Sequence, residues 1–396
     1  MKQMKCDAVV VGAGPAGSMT AKWAAMGGVD VIMIEKRQEI GSPIRCGEGI
    51  SKAWLEEVGI EVDPKWIARD IKGAKLVSPS GFTYFVDEKN AGNEVGWVVD
   101  RVFFDKALAR DAAKAGVKIM LKTAATGLIW KDGQIAGVKA ISNGEEIEIL
   151  ADAVIGADGF ESQIARWAGI DTSLKANDIL TCFQYRLTNI EYDHDYCEFV
   201  LGSAAPGGYV WVFPKTEDTA NVGLGILTPL IKNSGDPKAY LDKFIAETPG
   251  LQNGQPLESV AGAVSVCAPL DSVSMDHLML VGDAARQIDP ITGGGISNSC
   301  VAGMFAGKAL AKAKETNDYT MNVFQEYEDN WRDRLENKLW RNWMAKEKLV
   351  TLDDSILDTL IKSISEVGVE KLSVRNLLAI VKQTHPELVK EFEDLI

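Results

Sequence analysis

The sequence predicts an α/β fold: a parallel, helix-covered sheet that is interrupted by an inserted antiparallel β domain and followed by a C-terminal helical region. Three observations carry this. Residues 7–34 read as strand, glycine loop, helix and strand; aromatic alternation typical of strands dominates roughly 176–266; and helical periodicity fills the chain beyond about 320. A chain of 396 residues suits two or three such units.

Residues 7–11 form a continuous apolar run ending at Gly12, 15–26 are rich in small residues with helical character, and 29–34 are a second apolar strand stopped by Glu35. A unit of this length joins neighbouring parallel strands through a crossover helix. Residues 106–115 read as a helix closed by Gly116, and 117–121 as the next strand. Asp132-Gly133 turns a hairpin between two further strands. Another apolar strand ends at Asp158-Gly159. Tyr209, Trp211 and Phe213 then alternate along one strand, as expected where an antiparallel sheet has one covered face. Residues 278–281 return to parallel-strand character, 296–316 form a long helix, and Trp331, Leu335, Leu339, Trp340 and Trp343 recur at near-helical spacing. The expected domains are therefore 1–175 with 262–325, 176–261, and 326–396, with 72–97 able to join the second.

Forty-two basic against 56 acidic residues give a net charge of −14 and a pI near 4.9, so the surface repels polyanions and argues against nucleic-acid binding. The six cysteines, at 6, 46, 182, 197, 267 and 300, form no C-x-x-C pair and do not cluster with the histidines at 194, 277 and 385. Zinc, haem and iron–sulfur patterns are absent from the sequence, as is a Ser/His/Asp arrangement. No signal-peptide pattern precedes the first strand, and no run approaches the roughly 18 to 20 apolar residues of a membrane span. A cytoplasmic protein, peripherally associated with the cell membrane, is expected.

Gly12-x-Gly14-x-x-Gly17 lies between a strand and a helix, where glycines permit a tight turn, approach to a pyrophosphate and close helix packing. Glu35, ending the second strand, suits the hydroxyls of an adenosine ribose. Gly282-Asp283 leads to Asp289-Pro-Ile-Thr-Gly293-Gly294-Gly295 at the head of the long helix, a loop whose N–H groups can approach a flavin edge, with Asp283 on a ribityl hydroxyl. With Asp158-Gly159 and Arg101, these separated motifs resemble the p-hydroxybenzoate hydroxylase-like FAD enzymes over roughly 5–320. Taken alone, Arg101 also fits a surface salt bridge and Asp158 a strand-ending turn. The resemblance implies a Rossmann-type FAD-binding domain with an inserted antiparallel β substrate domain. The expected FAD set is Gly12, Gly14, Ala16, Gly17, Glu35, Lys36, Arg45, Cys46, Gly47, Gly49, Arg101, Ala125, Asp158, Gly159, Asp283, Gly294, Gly295 and Ile296.

Two more segments narrow the family. Ser42-Pro-Ile-Arg45-Cys46-Gly47-Glu48-Gly49 is dominated by Gly and Pro and reads as a loop able to reach back over the cofactor. In Pro206-Gly-Gly-Tyr209-Val-Trp211-Val-Phe213-Pro214, period-two alternation puts three aromatic rings on one face. Both segments are similar to those of the geranylgeranyl reductase family, and specifically its archaeal digeranylgeranylglycerophospholipid reductases. Flavin halogenases have a related Trp-x-Trp-x-Ile-Pro segment, from which this chain departs at Tyr209 and Phe213.

The resemblance implies saturation of isoprenoid double bonds of a glycerophospholipid: reduced FAD delivers hydride from N5 to one alkene carbon, and an acid protonates the other. Pro206, Tyr209, Trp211, Phe213 and Pro214 would then contact substrate, the rings shielding cationic character, although such a stripe also suits sheet packing. Cys46 is the candidate catalytic residue, as proton donor or flavin-contacting element; a buried, inert thiol is the alternative. Arg45 and Glu48 are expected to pair and brace the loop. The electron donor is external: ferredoxin, a reduced deazaflavin or NADPH. Two other readings of this chain are an FAD-dependent monooxygenase of an apolar aromatic or polyprenyl substrate, and a flavin-bearing electron carrier.

Two isoprenoid chains hold about 40 carbons, and at ~0.8 kcal/mol per buried CH₂ their extraction into water costs on the order of 30 kcal/mol. An apolar tunnel or a bilayer must cover them. Residues 331–348 carry three tryptophans and six basic against three acidic side chains, a local +3 that suits an anionic lipid surface as well as it suits a packed helix with a solvated basic face.

Overall fold

The computed structural model describes residues 2–87, 96–367 and 379–380; His385 and the end of the predicted helical region lie outside them. Strands and helices are numbered in chain order. At the centre of the first sheet is β1 (Lys2–Val11), whose Ala8, Val9 and Val10 are fully buried. β1 runs parallel to β2 (Val31–Ile34) on one side and β11 (Glu145–Gly156) on the other. The sheet continues from β2 to β8 (Lys118–Met120), and from β11 to β18 (Leu278–Leu280) and the short β17 (Ser274–Met275). The hairpin of β9 (Thr123–Lys131) and β10 (Gln134–Ser142) pairs onto β11, turning at Asp132-Gly133.

The connection from β1 to β2 is α1 (Pro15–Met26). The helix α2 (Arg101–Lys114) starts at Arg101, earlier than the spacing predicted, because Asp100 caps it by accepting from the N–H groups of Val102 and Phe103. A short α3 (Gln163–Ala168) follows β11.

The second sheet has seven strands in the order β16 (Gln255–Ser265), β12 (Ile179–Thr188), β15 (Ala220–Leu227), β14 (Tyr209–Pro214), β13 (Tyr196–Leu201), β5 (Gly73–Val77) and β6 (Thr83–Asp87). Every pairing is antiparallel except β13 with β5, so the sheet recruits an earlier segment of chain through one parallel contact. One face is covered by α4 (Asp236–Glu247), whose Leu241 packs among Val210, Val212, Val222 and Leu224. Sequence texture gave no sign of this helix inside a strand-rich region. A small sheet of β3 (Gly49–Ser51), β7 (Gly96–Val99) and β4 (Ile67–Asp70) joins the two larger ones.

The long α5 (Ile296–Thr316) lies against α1 closely enough that a Cβ at Gly303 would sit 2.7 Å from the Ala16 carbonyl oxygen. Beyond it come α6 (Met321–Trp331), a π-helical turn (Arg332–Glu336), α7 (Asn337–Leu349) and α8 (Asp354–Val367). The three tryptophans of 331–348 divide between core and surface, Trp340 being 36% exposed. Trp331 is 0% exposed and donates its indole N–H to Glu328, while Trp340 and Trp343 pair edge to face. Arg332 binds Glu328 and Glu336, Arg334 binds Glu57, and Lys346 is buried. Much of the local +3 is therefore neutralised within the fold. Among the described residues no helix is long and apolar enough to cross a membrane.

Candidate active site

Three chain segments build a nucleotide cradle at the C-terminal ends of the parallel strands. Gly12 adopts φ +109°, and a Cβ there would lie 2.2 Å from the Ala157 carbonyl oxygen; a Cβ on Gly17 would lie 1.9 Å from the Gly12 oxygen. These two glycines pack the turn onto the sheet. Gly14, by contrast, faces open space, where a pyrophosphate can approach the head of α1. Glu35 is held at the same turn, one carboxylate oxygen accepting from Ala13 N–H at 3.1 Å and the other from Arg37 N–H at 2.9 Å. Asp158 accepts from Ile164 N–H through Oδ2, whereas its buried Oδ1 has no partner among the described residues. Burial pushes both Asp158 and Asp283 above the usual carboxylate range. An orphaned acceptor, an open glycine cradle and a ribose-ready carboxylate fit FAD.

The glycine loop before α5 is held from two sides. Asp289 is buried and accepts from the N–H groups of Ile291 and Thr292 and from the Asn342 amide of α7, with Lys338 at 3.9 Å. Tyr209, across the cavity, donates its hydroxyl to the Thr292 carbonyl oxygen.

The Cys46 loop is pinned to the second sheet by three consecutive residues. The carbonyl oxygens of Cys46 and Gly47 accept from the Gln184 and Asn221 amides, both at 3.1 Å. Glu48, 1% exposed, accepts through Oε2 from Lys215 at 2.6 Å, Asn221 at 2.6 Å and Arg186 at 2.9 Å, and through Oε1 from Arg101 N–H at 2.8 Å. The expected Arg45–Glu48 pair does not form. At φ +74° Glu48 turns into the domain junction, where sheet cations neutralise it, and Arg45 lies exposed across Gly262. Arg101 forms a two-point ion pair with Asp105 at 2.7 and 2.8 Å. Burial opposes its charge, but Asp105 and then Cys46 outweigh that and raise the guanidinium above its ordinary pKa. The Cys46 thiol thus has a permanent cation beside it, and its sulfur accepts from Glu48 N–H at 3.3 Å.

Register explains the aromatic wall. Along one row of the sheet Gln184 faces Gly223, which faces Trp211; along the next, Arg186 faces Asn221, which faces Phe213. Because Gly223 has no side chain, the Trp211 ring crosses it and its Nε1 donates to Gln184 Oε1 at 2.8 Å. Phe213 lies on the loop glycines, within 2.8 Å of where a Gly47 Cβ would be. Phe199 of β13 packs against both Tyr209 and Phe213, with centroids 5.5 and 5.3 Å apart.

This wall belongs to one continuous cavity of 1060 Å³. Gly14, Ala16, Arg45, Cys46, Gly47, Gly49, Arg101, Gly159, Asp283, Gly294, Gly295 and Ile296 line it together with Pro206, Tyr209, Trp211 and Phe213. Gly12, Gly17 and Asp158 stand behind the lining, and Glu35 lies at the glycine turn. Lys36 instead pairs with Glu161 at 3.0 Å, Ala125 sits in β9 beside the end of β2, and Pro214 is buried at the end of β14. None of those three lines the cavity. The far end is apolar and reaches Leu349 of α7 and Leu357, Leu360, Ile361 and Ile364 of α8, opposite Leu76 and Val86. Phe199, Gln184, Lys215, Asn342 and this α8 face escaped sequence reasoning. The period-two position of Phe199 and the apolar spacing of 357, 360, 361 and 364 were the available signs.

Residues 178–264 match a family model described as the geranylgeranyl reductase catalytic domain, and 6–184 match one described as pyridine nucleotide-disulphide oxidoreductase. The digeranylgeranylglycerophospholipid reductase of Thermoplasma acidophilum is 49% identical over 98% of this chain and 99% of its own length. That of Methanothrix thermoacetophila is 46% identical over 99% and 100%. A solved structure from T. acidophilum, described as geranylgeranyl bacteriochlorophyll reductase-like, superposes with a TM-score of 0.95 at 48% identity and full coverage of both chains. A flavin-dependent brominase, at TM-score 0.73, 19% identity and coverage of 99% and 93%, shares the fold.

Proposed function

The chain belongs to the digeranylgeranylglycerophospholipid reductase family, and on that premise we propose how its residues carry out FAD-dependent reduction of the isoprenoid C=C bonds of that lipid. The cavity carries the reading, because it runs without a break from the Gly14 cradle past Cys46 and the aromatic wall to an apolar end. Gly12 to Gly17, Glu35, Asp158, Asp283 and Gly293 to Gly295 hold FAD, which when bound supplies hydride to one alkene carbon. Cys46 holds the proton for the other carbon, beside the Arg101–Asp105 ion pair. Tyr209, Trp211 and Phe199 present ring faces that shield developing positive charge and exclude water. The β12–β16 region together with β5 and β6 is the substrate-binding unit, and α7 and α8 close its apolar end over the isoprenoid chains. Two electrons enter from an external donor.

Leu230, 45% exposed, lies at the cavity lining and is a lip through which the protein contacts the lipid surface. Leu230→Asp should weaken liposome co-sedimentation while FAD absorbance is unchanged; equal binding by both proteins would remove Leu230 from lipid contact.

The reaction is tested anaerobically. Chemically reduced enzyme mixed with digeranylgeranyl phospholipid should yield product whose mass shows added hydrogen, and Cys46→Ala should abolish the gain while FAD stays bound. Oxygen-dependent turnover without added hydrogen would transfer the assignment to a monooxygenase.

A further inference from the structure

We infer that Gln184 is a positioning residue for this reduction, tying Trp211 to the Cys46 loop so that ring and thiol face the same part of the cavity. The inference deepens the reductase reading and rests on it. Gln184 is 6% exposed and both ends of its amide are committed: Oε1 accepts from Trp211 Nε1 at 2.8 Å, and Nε2 donates to the Cys46 carbonyl at 3.1 Å. An indole N–H only donates and a carbonyl only accepts, so the partners themselves fix the amide's orientation. The geometry is built for the link. Gly223 lies between Gln184 and Trp211, and a Cβ there would be 2.4 Å from Trp211 Cζ2 and 2.8 Å from Gln184 Cβ. The missing side chain opens the path along which the ring reaches the amide.

One residue further along Asn221 holds the Gly47 carbonyl, and two further along Glu48 binds Lys215 and Arg186, so the loop's attachment does not depend on Gln184. Among the described residues, what Gln184 alone supplies is a hydrogen-bonded link that joins the aromatic wall to the residue carrying the thiol. A side chain with one acceptor and no donor would keep Trp211 in place and release Cys46. A leucine would release both.

The test uses the full-length, FAD-loaded enzyme reduced anaerobically, with digeranylgeranyl phospholipid as substrate and iodoacetamide labelling of Cys46 read by mass spectrometry. Gln184→Leu should lower kcat about tenfold with KM changing less than about threefold, and should speed Cys46 labelling about fivefold, as expected for hydrogen bonds lost near the reacting groups. Gln184→Glu should behave differently with pH. Below the pKa of the introduced carboxyl, which burial raises above its ordinary value of about 4.3, the group is protonated and can donate to the Cys46 carbonyl, so activity relative to wild type is kept; as it ionises with rising pH the donor is lost and the ratio falls about tenfold. A packing role predicts a flat ratio. Wild-type kcat and labelling in Gln184→Leu, or a flat pH ratio in Gln184→Glu, would overturn the inference. If Gln184→Leu does not fold, the Gln184→Glu profile decides. Wild-type enzyme that adds no hydrogen to the lipid would refute the reductase reading instead, and the labelling comparison, which needs no turnover, would still judge the link between Gln184 and the loop.

Discussion

Glu48 gathers four donors on one buried carboxylate, two of them from the cations Lys215 and Arg186. Removing its charge leaves those cations facing a neutral amide at a buried position. Glu48→Gln should therefore cost about 3–5 kcal/mol in a urea melt, and Glu48→Gln with Lys215→Met should recover part of the loss. A melt unchanged by the single substitution would show that water reaches the junction. Gly223→Ala acts on the opposite wall, where the new methyl would overlap Trp211; about 1–3 kcal/mol of overpacking cost and a displaced indole are expected, read by thermal melt and lipid turnover. At this scale sequence is informative only where chemistry is local. Cys46 stands out among glycines and Trp211 in an alternating strand. Gln184, Lys215 and Asn221 are ordinary polar residues whose importance is created by register between strands distant in sequence.

The helices of the tail are parts of the site. Asn342 of α7 reaches the buried Asp289 at 2.7 Å, so Asn342→Leu should loosen the glycine loop and weaken FAD binding by about 1–2 kcal/mol, measured by flavin titration of apoenzyme. Unchanged affinity would show that the loop holds its shape without α7. On α8, Leu360→Trp should fill the apolar end of the cavity, raising KM for a lipid with full-length isoprenoid chains while sparing one with much shorter chains. A uniform effect on both would place the chains elsewhere. The Gly12 unit and α5 were legible because glycine spacing and a run of small residues are local patterns. Three features were not: α2 is extended by its Asp100 cap, α4 is hidden among strands, and the π-helical turn at Arg332–Glu336 interrupts the helical phase ahead of α7, so simple spacing misjudges which tryptophans face inward.

Over the whole molecule, buried thiols and phenols set the response to alkali. Burial pushes Cys6 and Cys182 up to about 12 and Cys197 and Cys300 higher still, and Tyr192 and Tyr327 also lie above the ordinary phenol range. With folded pKa values raised, the unfolded chain releases protons first, so this contribution to stability is complete below about pH 9 and is lost as pH climbs toward 12 and beyond. Melting temperature should fall across that window, less steeply in Cys300→Ala; an identical slope would remove that thiol from the effect. Fold class and the interrupted first layer were readable from sequence because strand and glycine motifs recur at 7–17, 154–159 and 278–295; the sequence also allowed 72–97 to join the second unit, and β5 and β6 do enter its sheet, through a long-range parallel pairing that itself has no local mark. The interruption also sets an order of events during synthesis. Gly12 packs on Ala157 and Gly282 on Ala16, so the flavin cradle draws on both ends of a span that encloses the entire substrate sheet. On the ribosome, residues through Gly295 must emerge before the cradle is complete, so the whole of the second sheet is translated before the flavin seat is finished.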